Sequence, residues 1–337
     1  MWRSYFTEKK WLLWSWGGFA FIILSLLAQT YIDVKINEWY KGFYDLLQKA
    51  TEREISEFYD GLFMFMKLAI PYVIIYTVTN YFTRLWAFRW REAMTFSYMP
   101  YWRKIDAKVE GASQRIQEDC YRFARIVESL GLQIVRSIMT LIAFLPILWE
   151  LSEGIIVPLI GDQKGSLVYV SLIVSLGGLI ISWIVGIKLP GLEYNNQKVE
   201  AAFRKELVYG EDNTDRAEPV SLVKLFDNVR RNYFKIYFHY AYFNLVRYLY
   251  LQADNIIVYI FIIPTIVSGR ITLGIMNQIL RAFGQVASSF QFLVNSWTTI
   301  IDLISIYKSL QAFEASIHGG QLPKIDRDFL ASRGTED

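Results

Sequence analysis

Apolar residues along this 337-residue chain gather into long runs, separated by stretches that are charged yet keep helical periodicity. A run of about 20 apolar residues is long enough to span a bilayer as a helix. Four runs meet that length directly: about Trp11 to Gln29, Leu62 to Phe82, Leu130 to Leu148, and Leu167 to Ile187. The second contains Pro71, the third Pro146, and the fourth Gly177-Gly178, which marks a close helix contact or a flexible point. A fifth span, about Tyr237 to Val267, holds His239 and Arg247 in its first part, and its clean run from Ile256 is too short alone. One long helix from about Phe234, bent or broken near Pro264, accounts for both. Ser268-Gly269-Arg270 then makes a tight turn into a sixth span, about Ile271 to Ser305. That span carries Asn277, Gln278, Arg281, Gln285, Ser288, Ser289, Gln291 and Asn295. A helix so polar does not face lipid all round, so it is expected to line an aqueous cavity or pack on a partner.

The polar stretches between these runs have their own pattern. Thr30 to Asp60 reads as a helix–turn–helix outside the membrane, with Thr51 and Glu54 at capping-box spacing. Arg84 to about Val127 reads as helices projecting from the membrane and interrupted at Pro100. Glu150 to Lys164 is a short loop. Thr214 to Lys235, with Pro219, is a turn between two projecting helices, and the polar tail from Ile317 onward frays. Residues 1–316 therefore form one transmembrane domain and 317–337 a tail.

The acids of the projecting stretches are regularly placed. In Lys188 to Asn213, a helix beginning after Pro190 puts Glu193, Glu200 and Glu211 within about 20° of one another in succession, as one stripe along roughly five turns. Glu110 and Glu128 also share a face, with Glu118 about 80° away. Ionisable groups occur in such a protein where a helix has left the lipid or lines a wet cavity. Periodicity alone leaves open a plainer reading, in which these acids pair with Arg115, Arg122, Arg125, Lys198, Arg204 and Lys205 on solvated helices.

Composition agrees with a membrane protein. The chain is 53% hydrophobic and rich in Trp, Tyr and Phe, which collect at bilayer interfaces. Dense arginine and lysine before the first run and after the second place both termini in the cytoplasm, while Lys35, Lys41, Lys49 and Arg53 are offset by neighbouring acids. The start lacks the cleavage site of a secretory signal. Net charge is +3 with no repeated basic block, which argues against nucleic acid. A single cysteine, Cys120, excludes an internal disulfide. No phosphate-binding G-x-x-x-x-G-K-[ST] loop, metal-spaced His/Cys cluster or hydrolase motif occurs, so neither a cofactor nor an enzymatic activity is expected.

Several stretches resemble a known family. EGASQRIQED, SIMTLIAFLPIL and GIKLPGLEYNNQKVEAAFRKELVYGED, followed by NYFKIYFHYAYFN, ITLGIMNQI and FLVNSWTTIIDLISIYK, are similar to the SbmA–BacA family of bacterial inner-membrane peptide transporters. The resemblance runs from about Leu24 onward. It implies an all-α homodimer of six long transmembrane helices with cytoplasmic extensions, arranged like the membrane domains of ABC exporters. It implies proton-driven uptake of peptides and peptide-like antibiotics, with protons as the coupling ion. The family's ladder of cavity acids falls on Glu118, Glu128, Glu200 and Glu211; Glu110, Glu193, Glu206, Tyr209 and Tyr44 match as secondary positions. Members of the family carry further membrane segments before the helix that begins here near Trp11, so a short variant or a trimmed form is expected.

Such a ladder has a physical use. A glutamate in water titrates near 4.3 and carries no proton at neutral pH. Crowding and partial desolvation of carboxylates raise the affinity of some for a proton, and those left ionised attract cationic peptides.

Overall fold

The computed structural model describes residues 1–102, 115–157, 161, 163–212 and 219–318. Among them there is no strand, and the helices are α1 (Arg3–Phe6), α2 (Gly18–Gln48), α3 (Ile55–Trp102), α4 (Cys120–Leu151), α5 (Ser166–Gly186), α6 (Leu189–Asp212), α7 (Pro219–Val267), α8 (Leu273–Asn295) and α9 (Trp297–His318). Short π-helical turns at Leu13–Gly17 and Arg115–Asp119 lead into α2 and α4. Five helices among the described residues are long and apolar enough to cross a membrane: those containing α2, α3, α4, α5 and α7. This is an all-α membrane protein.

The helices overshoot the bilayer. At 1.5 Å per residue, the 48 residues of α3 and the 49 of α7 reach about 72 and 74 Å, against a hydrocarbon core of about 30 Å. Of these five, α5, with 21 residues, is the one that matches that thickness. It is also built inside out relative to a water-soluble helix. Ser171, Ser175, Gly178, Ser182 and Gly186 are buried, while Ile173, Leu176, Ile180, Trp183 and Ile184 point outward. Small residues let helices approach closely where water provides no drive to associate. A Cβ on Gly178 would lie 2.0 Å from the Tyr250 ring of α7, whereas one on Gly177 would touch nothing. The close contact foreseen at the glycine pair therefore belongs to Gly178, and the Tyr250 hydroxyl completes it by donating to the Val174 carbonyl at 3.2 Å.

Two cores hold the bundle. One joins the N-terminal residues to α3, α4 and α9 around Tyr5, Trp86, Trp90, Phe123, Leu310 and Phe313. The other joins α4, α5, α7 and α8 around Phe144, Leu148, Leu167, Ile262, Ile279 and Phe283. Between α2 and α8 the contact is polar. Asp45 accepts from the Gly274 amide at 3.0 Å and Gln48 from the Leu273 amide at 2.9 Å, so side chains of α2 satisfy the free N–H groups that begin α8. A Cβ at position 274 would fall 2.1 Å from the Lys41 carbonyl oxygen. Gly274→Val is accordingly expected to part α2 from α8 and cost about 1–3 kcal/mol. A lowered melting temperature of the detergent-solubilised variant checks this; an unchanged one contradicts it.

Five boundaries differ from the sequence reading. Thr214 to Lys235 is no turn from Pro219 onward, because Pro219 opens α7 and the helix runs unbroken through Phe234 to Val267. The segment after Thr30 is no separate helix–turn–helix, because α2 continues unbroken to Gln48 and only Lys49 to Glu54 turn the chain. The first turn of α3 is not served by Thr51 and Glu54 at all: Glu57 reaches back to the Glu54 amide at 3.5 Å, three residues later than the expected box. Pro100 does not interrupt α3, which runs to Trp102. The sixth span is two helices, α8 and α9, parted at Ser296, although backbone bonds from Ser296 to Phe292 and from Ile300 to Ser296 carry the chain through. Pro264 lies inside α7, and the turn beyond it closes with Gly269 at φ +66 and a Gly269 amide bond to the Ile266 carbonyl. A left-handed glycine of this kind is the usual helix stop.

Candidate transport site

α3 and α4 run antiparallel in a fixed register. The Arg136 guanidinium sits over Tyr76 at 5.3 Å and Arg91 over Tyr121 at 5.0 Å, which levels Arg84 with Glu128. The groove between the two helices is a cavity of about 740 Å³. Its wall includes Asn80, Thr83, Arg84, Tyr121, Arg125, Glu128, Gln133 and Arg136. Glu128 is half-buried, lies beside the Thr83 hydroxyl, and is nearest the charges of Arg84 and Arg125. It also borders a second, almost wholly apolar cavity of about 480 Å³ walled by Trp2, Phe6, Trp16 and Phe19.

A third cavity of about 370 Å³ adjoins the first through Arg136, which lines both. Here α2, α4 and α8 bring together Asp33, Arg136, Arg281, Gln29 and Gln285. Arg281 pairs with Asp33 at 3.5 Å and lies over Tyr40 at 4.9 Å. Tyr44, one turn along α2, stacks on Tyr40 at 5.9 Å, behind the cavity wall that Tyr40 forms. The polar residues of α8 thus have their explanation: Arg281 and Gln285 line a cavity, and Gln291 donates to Asp254 of α7 at 3.1 Å.

The remaining acids stand elsewhere. Glu118, exposed in the turn before α4, lies 3.8 Å from Arg122, which is itself held by Asp302 of α9 at 2.7 Å. Glu200, Glu206 and Glu211 lie on α6, which packs along α7 through Asn196 on Asn232 at 3.2 Å and Phe203 on Phe226 at 5.6 Å. On an ideal helix Glu200 and Glu211 sit about 40° and 60° to one side of that seam, and Glu206 about 80° to the other. Glu200 and Glu206 are half-buried, and Glu211 and Tyr209 are exposed. Glu193 belongs to the same helix, but its side chain lies outside the described residues, as does the whole of Glu110. One chain therefore divides the ladder positions into two pairs, Glu118 with Glu128 on the α4 segment and Glu200 with Glu211 on α6. Of the plainer pairing scheme, Glu118 meets Arg122 and Glu128 lies near the charge of Arg125, and the side chains of Lys198 and Lys205 lie outside the described residues.

Asp33, Arg136 and Asp254 were not singled out from sequence. Arg136 carried a usable signal, because it is the one charge inside the apolar run from Leu130 to Leu148, where charge is costly.

Residues 8–318 match the model of the SbmA/BacA-like family. The chain belongs to the SbmA/BacA-like family. This SbmA/BacA-like chain is also 24% identical, over 315 residues, to the inner membrane ABC transporter ATP-binding protein YddA of Escherichia coli (strain K12), covering 87% of the chain and 55% of that protein. It is 25% identical over 334 residues to the uncharacterized ABC transporter ATP-binding protein sll0182 of Synechocystis sp., covering 93% and 48%. It is 24% identical over 318 residues to ABC transporter D family member 2, chloroplastic, of Arabidopsis thaliana, covering 88% and 42%. The SbmA/BacA-like chain spans about half the length of the curated relatives it matches.

Proposed function

We propose that this protein imports peptides and peptide-like antibiotics across the bacterial inner membrane, driven by the proton gradient. Two copies enclose a central cavity, with α8 completing six spans per copy and both termini in the cytoplasm. Glu118, Glu128, Glu200 and Glu211 take up and release the coupling protons. The observation that carries this reading is Glu128: a half-buried carboxyl in the wall of a cavity of about 740 Å³ between two membrane-length helices of an SbmA/BacA-like chain.

The energetics are adequate. One charge crossing the membrane field releases about 2.3 kcal/mol per 100 mV. That is enough to bias two conformations separated by a few kcal/mol. A protonated ladder favours closure around the cargo, and deprotonation on the cytoplasmic side favours release. The division of the acids into two pairs within one chain fits a site completed by a second copy. The test is uptake of a labelled proline-rich peptide by purified protein in liposomes. Uptake should rise with an imposed pH gradient and fall when the gradient is collapsed; uptake indifferent to the gradient refutes proton coupling.

A second reading draws on the relatives, whose names describe ATP-binding proteins and of which this chain matches about half. It makes the chain the membrane half of an ATP-driven transporter with a separate ATPase. Vanadate would then stop transport, and loss of the proton gradient alone would not.

A further inference from the structure

The α3–α4 groove holds more arginine than acid. Arg84, Arg125 and Arg136 line it, and Glu128 is the one carboxylate among its described lining residues. None of the ion pairs among the described residues involves these three arginines. Across the adjoining cavity Arg281 and Asp33 cancel, so the joined space keeps an excess of two positive charges, three arginines against one glutamate.

Arg136 is the residue that this excess cannot explain as surface charge. It lies six positions inside the apolar run that starts at Leu130, about 16 Å along the helix axis from Arg125. A guanidinium at that depth persists where it is paired or wet. Its hydrogen-bond and ring partners are neutral, and Asp33, whose charge also acts on it across the adjoining cavity, is paired with Arg281. Nη2 donates to the Gln29 Oε1 at 2.9 Å, and the Gln29 amide nitrogen donates onward to Thr79 at 3.1 Å, so the amide oxygen is turned to receive it. The Tyr76 ring flanks the other side. This arrangement orients the guanidinium and leaves it only a share of Asp33, which two arginines face. A guanidinium has five N–H donors in a planar fork that matches a carboxylate.

We propose that the groove seats an oxyanion of the cargo, the free α-carboxylate of a peptide, with Arg136 as its anchor and Arg84 and Arg125 guiding it inward. The proposal rests on the reading of the protein as a peptide transporter. A phosphate at the membrane surface would meet Arg84 and Arg125 but would have to leave the headgroup layer to reach Arg136. The seat complements the acid ladder, since a cationic peptide presents amines along its length and one carboxylate at its end.

The experiment is equilibrium binding to the purified full chain in lipid nanodiscs, read by fluorescence anisotropy. The probes are a short cationic peptide labelled at its N-terminus, the same peptide as its C-terminal amide, and soluble dihexanoyl phosphatidylglycerol as a competitor. The free acid is expected to bind about tenfold more tightly than the amide, the scale of one charge-assisted hydrogen-bonded contact. Arg136→Gln should abolish that difference and leave amide binding unchanged, and Arg136→Lys should keep part of it. If Arg136→Gln fails to fold, Arg84→Gln combined with Arg125→Gln should narrow the same gap, and an unchanged gap overturns the seat. Equal binding of acid and amide by the unaltered protein overturns it, as does an Arg136→Gln variant that weakens both alike. Displacement of the free acid, but not the amide, by the soluble lipid at similar concentration would reassign the groove to lipid phosphate. Binding of neither peptide would refute the peptide-transport reading, a result distinct from binding of both without preference.

Discussion

Trp90→Ala is expected to destabilise the protein by about 3–5 kcal/mol, the range for removing a large aromatic from a closed core. Trp90 has no exposed surface. Its ring stands 4.8 Å from Trp2, 5.7 Å from Tyr5, 5.3 Å from Phe6, 5.4 Å from Trp86 and 5.7 Å from Phe123. Its indole N–H donates to the Met1 carbonyl at 3.4 Å. Truncation would therefore empty the junction of three elements: the N-terminal residues, α3 and α4. The ring packing adds to simple burial, because tilted and edge-to-face pairs contribute about 0.5–1.5 kcal/mol beyond area. The control is Trp183→Ala on the outer face of α5, where the side chain is 56% exposed and lipid replaces whatever it touches. Thermal unfolding in detergent should separate the two variants clearly. Equal losses would mean that the N-terminal residues do not close this core.

The long apolar elements were legible because lipid imposes a simple rule on them. α5 is bounded in sequence almost as in the fold, since a run from Leu167 to Ile187 has no other use. The extensions were less legible. Past Thr30 the apolar signal weakens, yet α2 continues to Gln48, held by Trp39 Nε1 on the Gly61 carbonyl at 2.7 Å and by the caps it lends to α8. These contacts join residues more than twenty positions apart, and periodicity does not report them. The same holds for the site. Spacing along one helix places Glu200 and Glu211 on one side of α6, and that arrangement stands. It says nothing of the distance from α6 to α4, and one chain keeps the two pairs of acids on separate helix pairs. Asp33, Arg136 and Arg281 lie in three different runs, and only the packing of α2, α4 and α8 makes a single charged cluster of them.

Replacing Glu128 by Gln is expected to produce the largest functional loss of any single change in the ladder. Gln keeps the shape but cannot take up a coupling proton or carry a charge. If Glu128 couples protons, its loss removes a bias of about 2.3 kcal/mol per 100 mV, roughly fifty-fold in the gradient-driven accumulation of cargo. Passive equilibration through the cavity would remain, so the variant should fill liposomes only to the outside concentration. Glu200→Gln and Glu211→Gln should show smaller losses of the same kind where a second copy turns α6 toward the shared cavity. Glu118→Gln is the informative contrast. Its carboxylate is 51% exposed and its arginine is already engaged by Asp302, so in one isolated chain its removal should matter little. A strong defect in Glu118→Gln would place it in a shared chamber that one copy does not form alone. Glu206→Gln, on the far side of the α6–α7 seam, should transport normally. Uptake and proton flux unaltered in Glu118, Glu128, Glu200 and Glu211 variants alike would end the proposal that this ladder couples protons to transport.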